Sequence, residues 1–351
     1  MGRSRRVTID DIAAEAGVSA ASVSYALNGK PGVSRQTRER GLASARSHNW
    51  EPSHVARALQ DARVQVVGLV VPMSDQALHD EAFWMMFIGG IESELRQHGY
   101  SLLLHLEPDL PTELEIYRSW SRRGLVDSVI LADLYPDDPR IPVLAQLGLP
   151  AVLAGRPDPD PGWPYCFSSD ADDMELVLRW LRGRGVTRFA RLAGNEDYVF
   201  VAERTHVWRR ELGAPGLVDC ATAHADFHPG RGDVAEAVTT LLAAEPEVIV
   251  ADSDLLAVGA LRALLDRGLR VPDDVELVSF DESVLCQVVT PSVTALDRDP
   301  RELGQVAARV ALGQEVGRVH RTRPGVIHER ESTRSGSKSQ PSSVNGATLS
   351  P

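Results

Sequence analysis

The sequence predicts an α/β protein in which an all-helical N-terminal head precedes a core of two successive units built on parallel sheets. The first observation is helical apolar spacing in residues 7–47, which contain no strand-like run. The second is a series of short apolar runs after Val64 that lack polar alternation and are separated by helical segments. That pattern is typical of a parallel sheet with helices on both faces. The third is that the same rhythm restarts after the Pro-rich link at 157–164, as expected for 351 residues that form two or three domains.

The head begins with two short helices joined by a tight turn. Thr8 is a good N-cap, and Asp11 completes a capping box in which Asp replaces the usual Glu. Gly17 permits the chain to turn, and Ser19 can cap a second helix that runs to about Leu27. This arrangement forms a helix-turn-helix, whose second helix lies in the major groove of DNA. On spacing alone, an ordinary helical hairpin fits equally well.

A third helix and a short segment complete the predicted head. Ser34 is expected to cap a helix through about Ser47, although Gly41 inside it is unfavourable by about 1 kcal/mol relative to Ala. Residues 52–60 could form two helical turns, which are too short to be stable without a partner. We therefore assign residues 1–50 to the head and 51–63 to a hinge helix and linker.

Charge is distributed unevenly along the chain. Residues 1–63 contain ten Lys and Arg and six Asp and Glu, a formal charge of +4. Because the whole chain carries −12, the remainder carries −16. Cations concentrated in one small module can contact phosphates, while the acidic remainder is repelled by DNA. The asymmetry favours the DNA-binding interpretation of the head.

The predicted core alternates strands with helices in two units of similar size. The predicted strands are 66–72, 101–106, 128–132, 151–154, 188–193, 218–221, 248–251 and 275–280. The predicted helices are 83–98, 112–123, 139–147, 171–184, 200–212, 230–244 and 254–267. A cleft between two such units is a common place for a small ligand. The tail, residues 331–351, is rich in Ser and Gly without apolar periodicity and is predicted to be disordered.

Several classes of protein are disfavoured. Cys166, Cys220 and Cys286 form no CxxC pair, which indicates a reducing compartment and neither a disulfide framework nor a zinc site. No apolar run approaches the roughly 20 residues that span a bilayer, and the N-terminus lacks the apolar segment of a signal peptide. Walker, GxGxxG and HExxH motifs are absent from the sequence. We therefore expect a cytoplasmic protein with no metal and no cofactor, and not an enzyme.

Three groups of residues, in order along the chain, carry a resemblance to a known family. They are residues 7–13 (VTIDDIA) with 16–19 (AGVS), 26–29 (ALNG) and 33–38; 268–275 (GLRVPDDV) with 280–282 (FDE); and 290–296 (TPSVTAL). Together they make the chain resemble the LacI/GalR (lactose-repressor) family of bacterial transcription regulators over residues 7–315. The resemblance implies a helix-turn-helix head, a hinge helix and a two-lobed core like the periplasmic sugar-binding proteins. It places the core at 64–330, with lobe 1 at about 64–160 plus 293–330 and lobe 2 at about 165–290.

The resemblance also implies which residues contact DNA. Ala20, Ala21 and Tyr25 would read base edges, and Leu59 would wedge into the minor groove at the operator centre. Packing within the head remains an alternative for Tyr25, and packing against the core remains one for Leu59. Asn28 could touch the DNA backbone or cap its helix. The full predicted set is Thr8, Ser19, Ala20, Ala21, Ser22, Ser24, Tyr25, Asn28, Ser34, Thr37, His54, Ala56 and Leu59.

For a small-molecule effector, the resemblance implies a site in the cleft. Arg204 and Asp281 would bind ligand hydroxyl groups, although an interlobe salt bridge is the alternative. Asp170 could line the cleft or only cap its helix. Ser253 and Asp254 stand where relatives commonly have Asn-Asp, and for Asp254 a role as the cap of the helix that follows is favoured over a role in the cleft. The predicted set is Asp75, Phe83, Trp84, Asp170, Arg204, Ser253 and Asp281. Here residues 74–84 are longer than the family's loop and lack its Ser-Asn-Pro-Phe-Phe motif, and Phe83 and Trp84 could equally serve the core.

The predicted function is sequence-specific repression of a carbohydrate-utilisation operon, controlled by a small-molecule effector that is predicted to be a sugar. A homodimer on a palindromic operator is expected, because the tail has no leucine heptads of the kind found in tetrameric relatives. The alternatives are a cytoplasmic sugar-binding protein with a non-functional head and a hydrolase that uses Asp170 and Asp281 as acid and base.

Overall fold

The computed structural model describes residues 7–27, 31–48, 50, 63–73, 82–227 and 231–334. The chain divides into two compact units, a head that ends at Gln65 and a core that begins at Val66. The predicted positions Asn28, His54, Ala56, Leu59 and Asp75 lie outside the described residues.

The head contains three helices, α1 (Ile9–Ala16), α2 (Ala20–Leu27) and α3 (Arg35–Ser47). The predicted capping box is present, since the Asp11 carboxylate accepts the Thr8 backbone N–H at 2.8 Å and Thr8 Oγ1 accepts the Asp11 N–H at 3.4 Å. Gly17 ends α1 in the left-handed region, with φ 61°. Gly41 lies within α3 and is buried against α2, where an added Cβ would meet Val23 and Ala26 at 3.8 Å, so the space there would also accept alanine.

The first lobe of the core is built on a parallel six-stranded sheet with the order β11-β5-β4-β3-β1-β2. The apolar runs of β1, β3 and β4 are buried along almost their whole length, as a sheet covered on both faces requires. Its strands are β1 (Val66–Val71), β2 (Ser101–Leu106), β3 (Ser128–Ala132), β4 (Ala151–Ala154), β5 (Tyr165–Phe167) and β11 (Val319–Arg321). Its helices are α4 (Ala82–Gln97), α5 (Leu110–Arg123), α6 (Arg140–Gln146) and α12 (Pro300–Ala311).

Two glycines let α4 and α12 pack closely. A Cβ on Gly90 would lie 2.1 Å from the Arg301 carbonyl oxygen, and one on Gly304 would lie 2.1 Å from the Phe87 carbonyl oxygen. Only glycine permits that approach, so the late helix α12 belongs to the first lobe.

The second lobe repeats the pattern with the strand order β12-β10-β9-β8-β6-β7. These strands are parallel except for β12, which pairs antiparallel with β10. They are β6 (Arg188–Ala193), β7 (Val218–His224), β8 (Val248–Ala251), β9 (Glu276–Ser279), β10 (Thr294–Asp297) and β12 (Val326–His328). The helices are α7 (Asp170–Gly183), α8 (Val199–Leu212), α9 (Arg231–Leu242), α10 (Asp254–Leu265) and α11 (Val284–Val288).

The predicted lobe boundaries need correction at both ends. Residues 165–167 form β5 in the first sheet, whereas we expected them in lobe 2. Residues 294–297 and 326–328 form β10 and β12 in the second sheet, whereas we expected 293–330 in lobe 1. Three- and four-residue strands carry no periodicity that identifies their partner, so pairing in the folded sheet decides the lobe.

The predicted disordered tail begins too early. Ser332 is fully buried, and its hydroxyl donates to the Leu277 carbonyl oxygen at 2.6 Å and accepts the Thr294 N–H at 2.8 Å. Thr333 is also buried, with its hydroxyl 2.7 Å from that of Thr294. These residues satisfy buried backbone groups of β9 and β10, which a polar composition does not reveal.

Candidate functional site

The predicted DNA-reading helix α2 presents two of its predicted base contacts to solvent. Ala21 and Tyr25, one helical turn apart, are exposed, while Val23 and Ala26 are buried in the head. Tyr25 exposes 45% of its surface and is not among the residues of the head core, which disfavours the packing alternative. Ala20 packs partly against that core. The face bearing Ala21 and Tyr25 is therefore available to a groove.

The predicted hydroxyl contacts of the head begin its helices. Ser19 Oγ accepts the Ser22 N–H and Ser34 Oγ accepts the Thr37 N–H, each at 3.1 Å. With Thr8 at α1, every helix of the described head starts at an exposed hydroxyl residue. Helix N-termini with hydroxyl side chains suit phosphate oxygens. Ser24 is half-buried.

Between the two lobes of the core lies a cavity of about 370 Å³. Five of its polar lining residues follow the carboxyl ends of parallel strands: Asp133 follows β3, Arg156 follows β4, Ser253 follows β8, Asp281 follows β9 and Arg298 follows β10. Loops at the carboxyl ends of such sheets are where α/β proteins bind ligands. The cavity is therefore the candidate effector site.

A chain of ion pairs crosses the floor of the cavity. Asp170 Oδ1 accepts Arg204 Nε at 2.7 Å and Arg298 Nη1 at 2.8 Å. Arg298 Nη2 donates to Asp281 Oδ1 at 2.7 Å. The Phe280 ring lies beneath both guanidinium groups, 4.1 Å from that of Arg204 and 5.2 Å from that of Arg298. Two carboxylates and two guanidinium groups thus form a polar surface rich in both acceptors and donors.

A second buried pair supports this floor from below. Arg204 Nη1 donates to the Asp252 carbonyl oxygen at 3.0 Å. The Asp252 carboxylate binds Arg191 in bidentate fashion, at 2.8 and 2.7 Å, and both side chains are fully buried. Burial acts to raise the pKa of Asp252, but the charge and hydrogen bonds of Arg191, together with the Arg204 charge and the Gly194 N–H, hold that pKa below its ordinary value. Arg204 is thus fixed in position by groups that no ligand reaches.

Aromatic rings form the walls. Phe83 and Trp84 come from α4, with ring centroids 6.0 Å apart. Tyr198, Phe200 and Phe227 come from the second lobe, and Phe200 lies 5.5 Å from Tyr198 and 5.8 Å from Phe227. Such faces suit the apolar face of a sugar ring, while the floor suits its hydroxyl groups.

Two carboxyl groups in the lining have altered acidity. Burial raises the pKa of Asp133 to about 6. Burial, with the nearby Asp170 charge, raises the pKa of Glu203 to about 7. Glu203 Oε1 lies 3.6 Å from Arg156 Nε, and this ion pair links the second lobe to the first.

Comparisons with known proteins identify the family of the chain. Residues 8–53 match the family described as bacterial regulatory proteins, lacI family, and residues 178–333 match a periplasmic binding protein-like domain. The HTH-type transcriptional regulator CelR of Thermobifida fusca is 31% identical over 323 residues, covering 90% of this chain and 94% of the relative. The chain belongs to the lacI family of bacterial regulatory proteins.

Relatives and solved structures of this family extend the match over nearly the whole chain. MalR of Staphylococcus xylosus is 27% identical, covering 93% of this chain and 98% of the relative. A complex of CelR with cellobiose matches with a TM-score of 0.70 and 28% identity, covering 93% and 100%. A lac repressor dimer bound to operator and the anti-inducer ONPF matches with a TM-score of 0.79 and 25% identity, covering 94% and 99%.

The predicted family membership and two-part fold are therefore confirmed. Among the described residues, no helix is long and apolar enough to cross a membrane.

The cavity brings together all of the predicted effector residues that the structure describes. They are Phe83, Trp84, Asp170, Arg204, Ser253 and Asp281. The salt bridge considered between Arg204 and Asp281 is replaced by two others: Arg204 binds Asp170, and Asp281 binds Arg298. Trp84 exposes only 4% of its surface, so it serves the core and the cavity together.

Two capping predictions are wrong. Ser253, rather than Asp254, caps α10 by accepting the Leu256 N–H at 3.3 Å. Ser169, rather than Asp170, caps α7 by accepting the Asp172 N–H at 3.3 Å. In both cases Ser precedes Asp, and the short hydroxyl side chain takes the cap while the carboxylate occupies the first turn, where the helix dipole stabilises it.

Sequence reasoning missed Arg298 and the second-lobe aromatic residues. Arg298 could have been found, because it follows the apolar run 293–296 and strand ends are where cleft residues lie. Tyr198 and Phe200 sit at the start of α8, where no strand signal points to them.

Proposed function

We propose that this protein is a sequence-specific repressor of a carbohydrate-utilisation operon, allosterically controlled by a small saccharide. The observation that carries the proposal is one chain with both an exposed face on α2 and a cavity lined by ion-paired polar groups and aromatic rings. We further propose a cytoplasmic homodimer that places two heads on a palindromic operator. Two heads in register read two half-sites separated by whole turns of the duplex.

The position of the cavity supports allosteric control. Asp170 lies just after β5 of the first sheet, where the chain enters α7 of the second lobe. Arg298 lies between β10 of the second sheet and α12 of the first lobe. A ligand that binds these two residues therefore acts on the segments that connect the lobes. By thermodynamic linkage, the factor by which the ligand alters operator affinity equals the factor by which operator alters ligand affinity.

We propose that the cavity binds rather than transforms its ligand. An acid–base pair of Asp170 and Asp281 would need carboxyl groups free to move protons. Both instead accept hydrogen bonds from Arg298, at 2.8 and 2.7 Å. Oδ1 of each carboxylate is thus already occupied by a guanidinium donor, which disfavours the hydrolase alternative.

The test is selection of genomic fragments by the purified full-length protein at physiological salt. A palindromic site beside carbohydrate genes is expected, and Tyr25→Ala should weaken binding to it by roughly fivefold to a hundredfold, the cost of one base contact. The matched control is Ala43→Ser, an exposed position on α3 outside the predicted contact set. Recovery of non-specific DNA alone, with and without a saccharide library, would favour the alternative of a sugar-binding protein with a non-functional head.

A further inference from the structure

The loop after β3 places an unusual residue at the cavity. Asp133 lines the cavity with φ 46°, in the left-handed region that non-glycine residues rarely adopt. Such a conformation costs about 1–3 kcal/mol and persists only where the surrounding structure enforces it, most often at ligand sites.

A sealed cluster of charges enforces that conformation. Arg140 Nη2 donates to the carbonyl oxygens of Asp133 and Ala132, at 2.8 and 3.0 Å. The same guanidinium group binds Asp138 at 2.7 Å and Glu113 at 3.2 Å. All of the Arg140 side chain is buried. The backbone of Asp133 is thus fixed from behind, on the side away from solvent.

The loop is also fixed from the side of the second lobe. The Leu134 carbonyl oxygen accepts the Val199 N–H at 2.9 Å, and the Tyr135 ring stacks on Tyr198 with centroids 5.3 Å apart. No described residue donates a hydrogen bond to the Asp133 carboxylate. That carboxylate is therefore an acceptor that the first lobe offers to the cavity and that the described residues leave unused.

The charges of the lining point to the class of ligand. Five carboxyl side chains and three guanidinium groups line the cavity. Each guanidinium group already has a carboxylate partner: Arg156 has Glu203, Arg204 has Asp170, and Arg298 has both Asp170 and Asp281. Among the described lining residues, a phosphate or carboxylate that entered would meet excess negative charge and no unpaired cation, at a local dielectric far below that of water.

We propose that the effector is an uncharged saccharide and that Asp133 is the residue of the first lobe that selects it, by accepting one of its hydroxyl groups and repelling anionic sugars. This inference rests on the proposed function and specifies the chemistry of the same cavity.

The experiment screens the full-length protein by thermal shift against neutral mono- to trisaccharides, each with its 6-phosphate, uronic acid and amino-sugar counterpart, followed by titration calorimetry of the hits. The tightest ligand should be uncharged, and its phosphate and uronate should bind at least tenfold more weakly. Asp133→Asn should weaken the affinity for the neutral ligand by roughly tenfold to a hundredfold, the cost of a hydrogen bond to a charged group. It should also reduce the ratio between the affinities for the neutral sugar and for its anionic counterparts.

Asp137→Asn is the matched control. Asp137 belongs to the same loop and has φ 49°, but it is exposed and does not line the cavity. Asn adopts left-handed backbone as readily as Asp, so neither variant changes the conformational preference. The control should bind every ligand as the wild type does.

Three results would overturn the proposal. They are a charged sugar as the tightest ligand, a wild-type affinity of Asp133→Asn for the neutral ligand, and the absence of any hit in the library. The selection of operator DNA tests the proposed repressor function and does not depend on these results. A wrong ligand class can therefore be distinguished from a wrong assignment as a repressor.

Discussion

The two lobes each contain a buried arginine between two carboxylates, and the two clusters differ in what surrounds them. In the first lobe, Arg140 with Glu113 and Asp138 is sealed, and the three side chains expose at most 2% of their surface. In the second, Arg298 with Asp170 and Asp281 borders the cavity, and exposures reach 17%. The sealed cluster can only hold backbone in place, whereas the open cluster can exchange partners with a ligand. Similar ion pairs are thus sealed from solvent in one cluster and accessible from the cavity in the other.

Removal of the arginine from the sealed cluster should have the largest effect on stability. Arg140→Met leaves the carboxylates of Glu113 and Asp138 buried without a counter-charge, which costs about 3–5 kcal/mol. Urea unfolding monitored by circular dichroism measures this loss. The control is Arg118→Met, which breaks only the exposed pair with Glu115 and should cost about 1 kcal/mol or less. Equal losses in the two variants would contradict the distinction between sealed and exposed pairs.

The same substitution in the open cluster should affect ligand binding more than stability. In Arg298→Met, Asp170 keeps Arg204 as a partner and Asp281 borders the cavity, so the loss of stability should be smaller than for Arg140→Met. Loss of affinity for the cavity ligand should be large, at least tenfold, because a charged donor of the floor is gone. Urea unfolding and titration calorimetry on one preparation separate the two quantities. A stability loss that matched Arg140→Met, with ligand affinity intact, would make Arg298 purely structural.

The smallest effect concerns the edge of the open cluster, where the lobes meet. Burial raises the pKa of Glu203 from 4.5 to about 7 in the folded protein. Between those two pH values the Glu203 carboxyl is ionised in the unfolded chain but still protonated in the folded protein. The free energy of unfolding therefore falls as pH rises from about 4.5 to about 7. Glu203→Gln should therefore gain melting temperature relative to the wild type between pH 5 and pH 8. A constant difference across that range would show that Glu203 titrates normally.

The sequence by itself predicted the helix-turn-helix, including the Thr8–Asp11 capping box, because caps and turns depend on residues a few positions apart. It also predicted the alternation of strands and helices, since a strand buried on both faces must be apolar throughout. Six of the residues predicted to bind an effector lie at one cavity, and their prediction rested on the family resemblance rather than on spacing.

Only the tertiary structure decided which carboxylate each arginine binds and which sheet each short strand joins. Asp170 and Arg298 are 128 positions apart, and Arg140 reaches back to Glu113 across 27. No local periodicity encodes such contacts, because they depend on the register of strands and the angle of packed helices. The left-handed backbone of Asp133 also depends on tertiary structure, because the Arg140 side chain, from another element, binds its carbonyl oxygen.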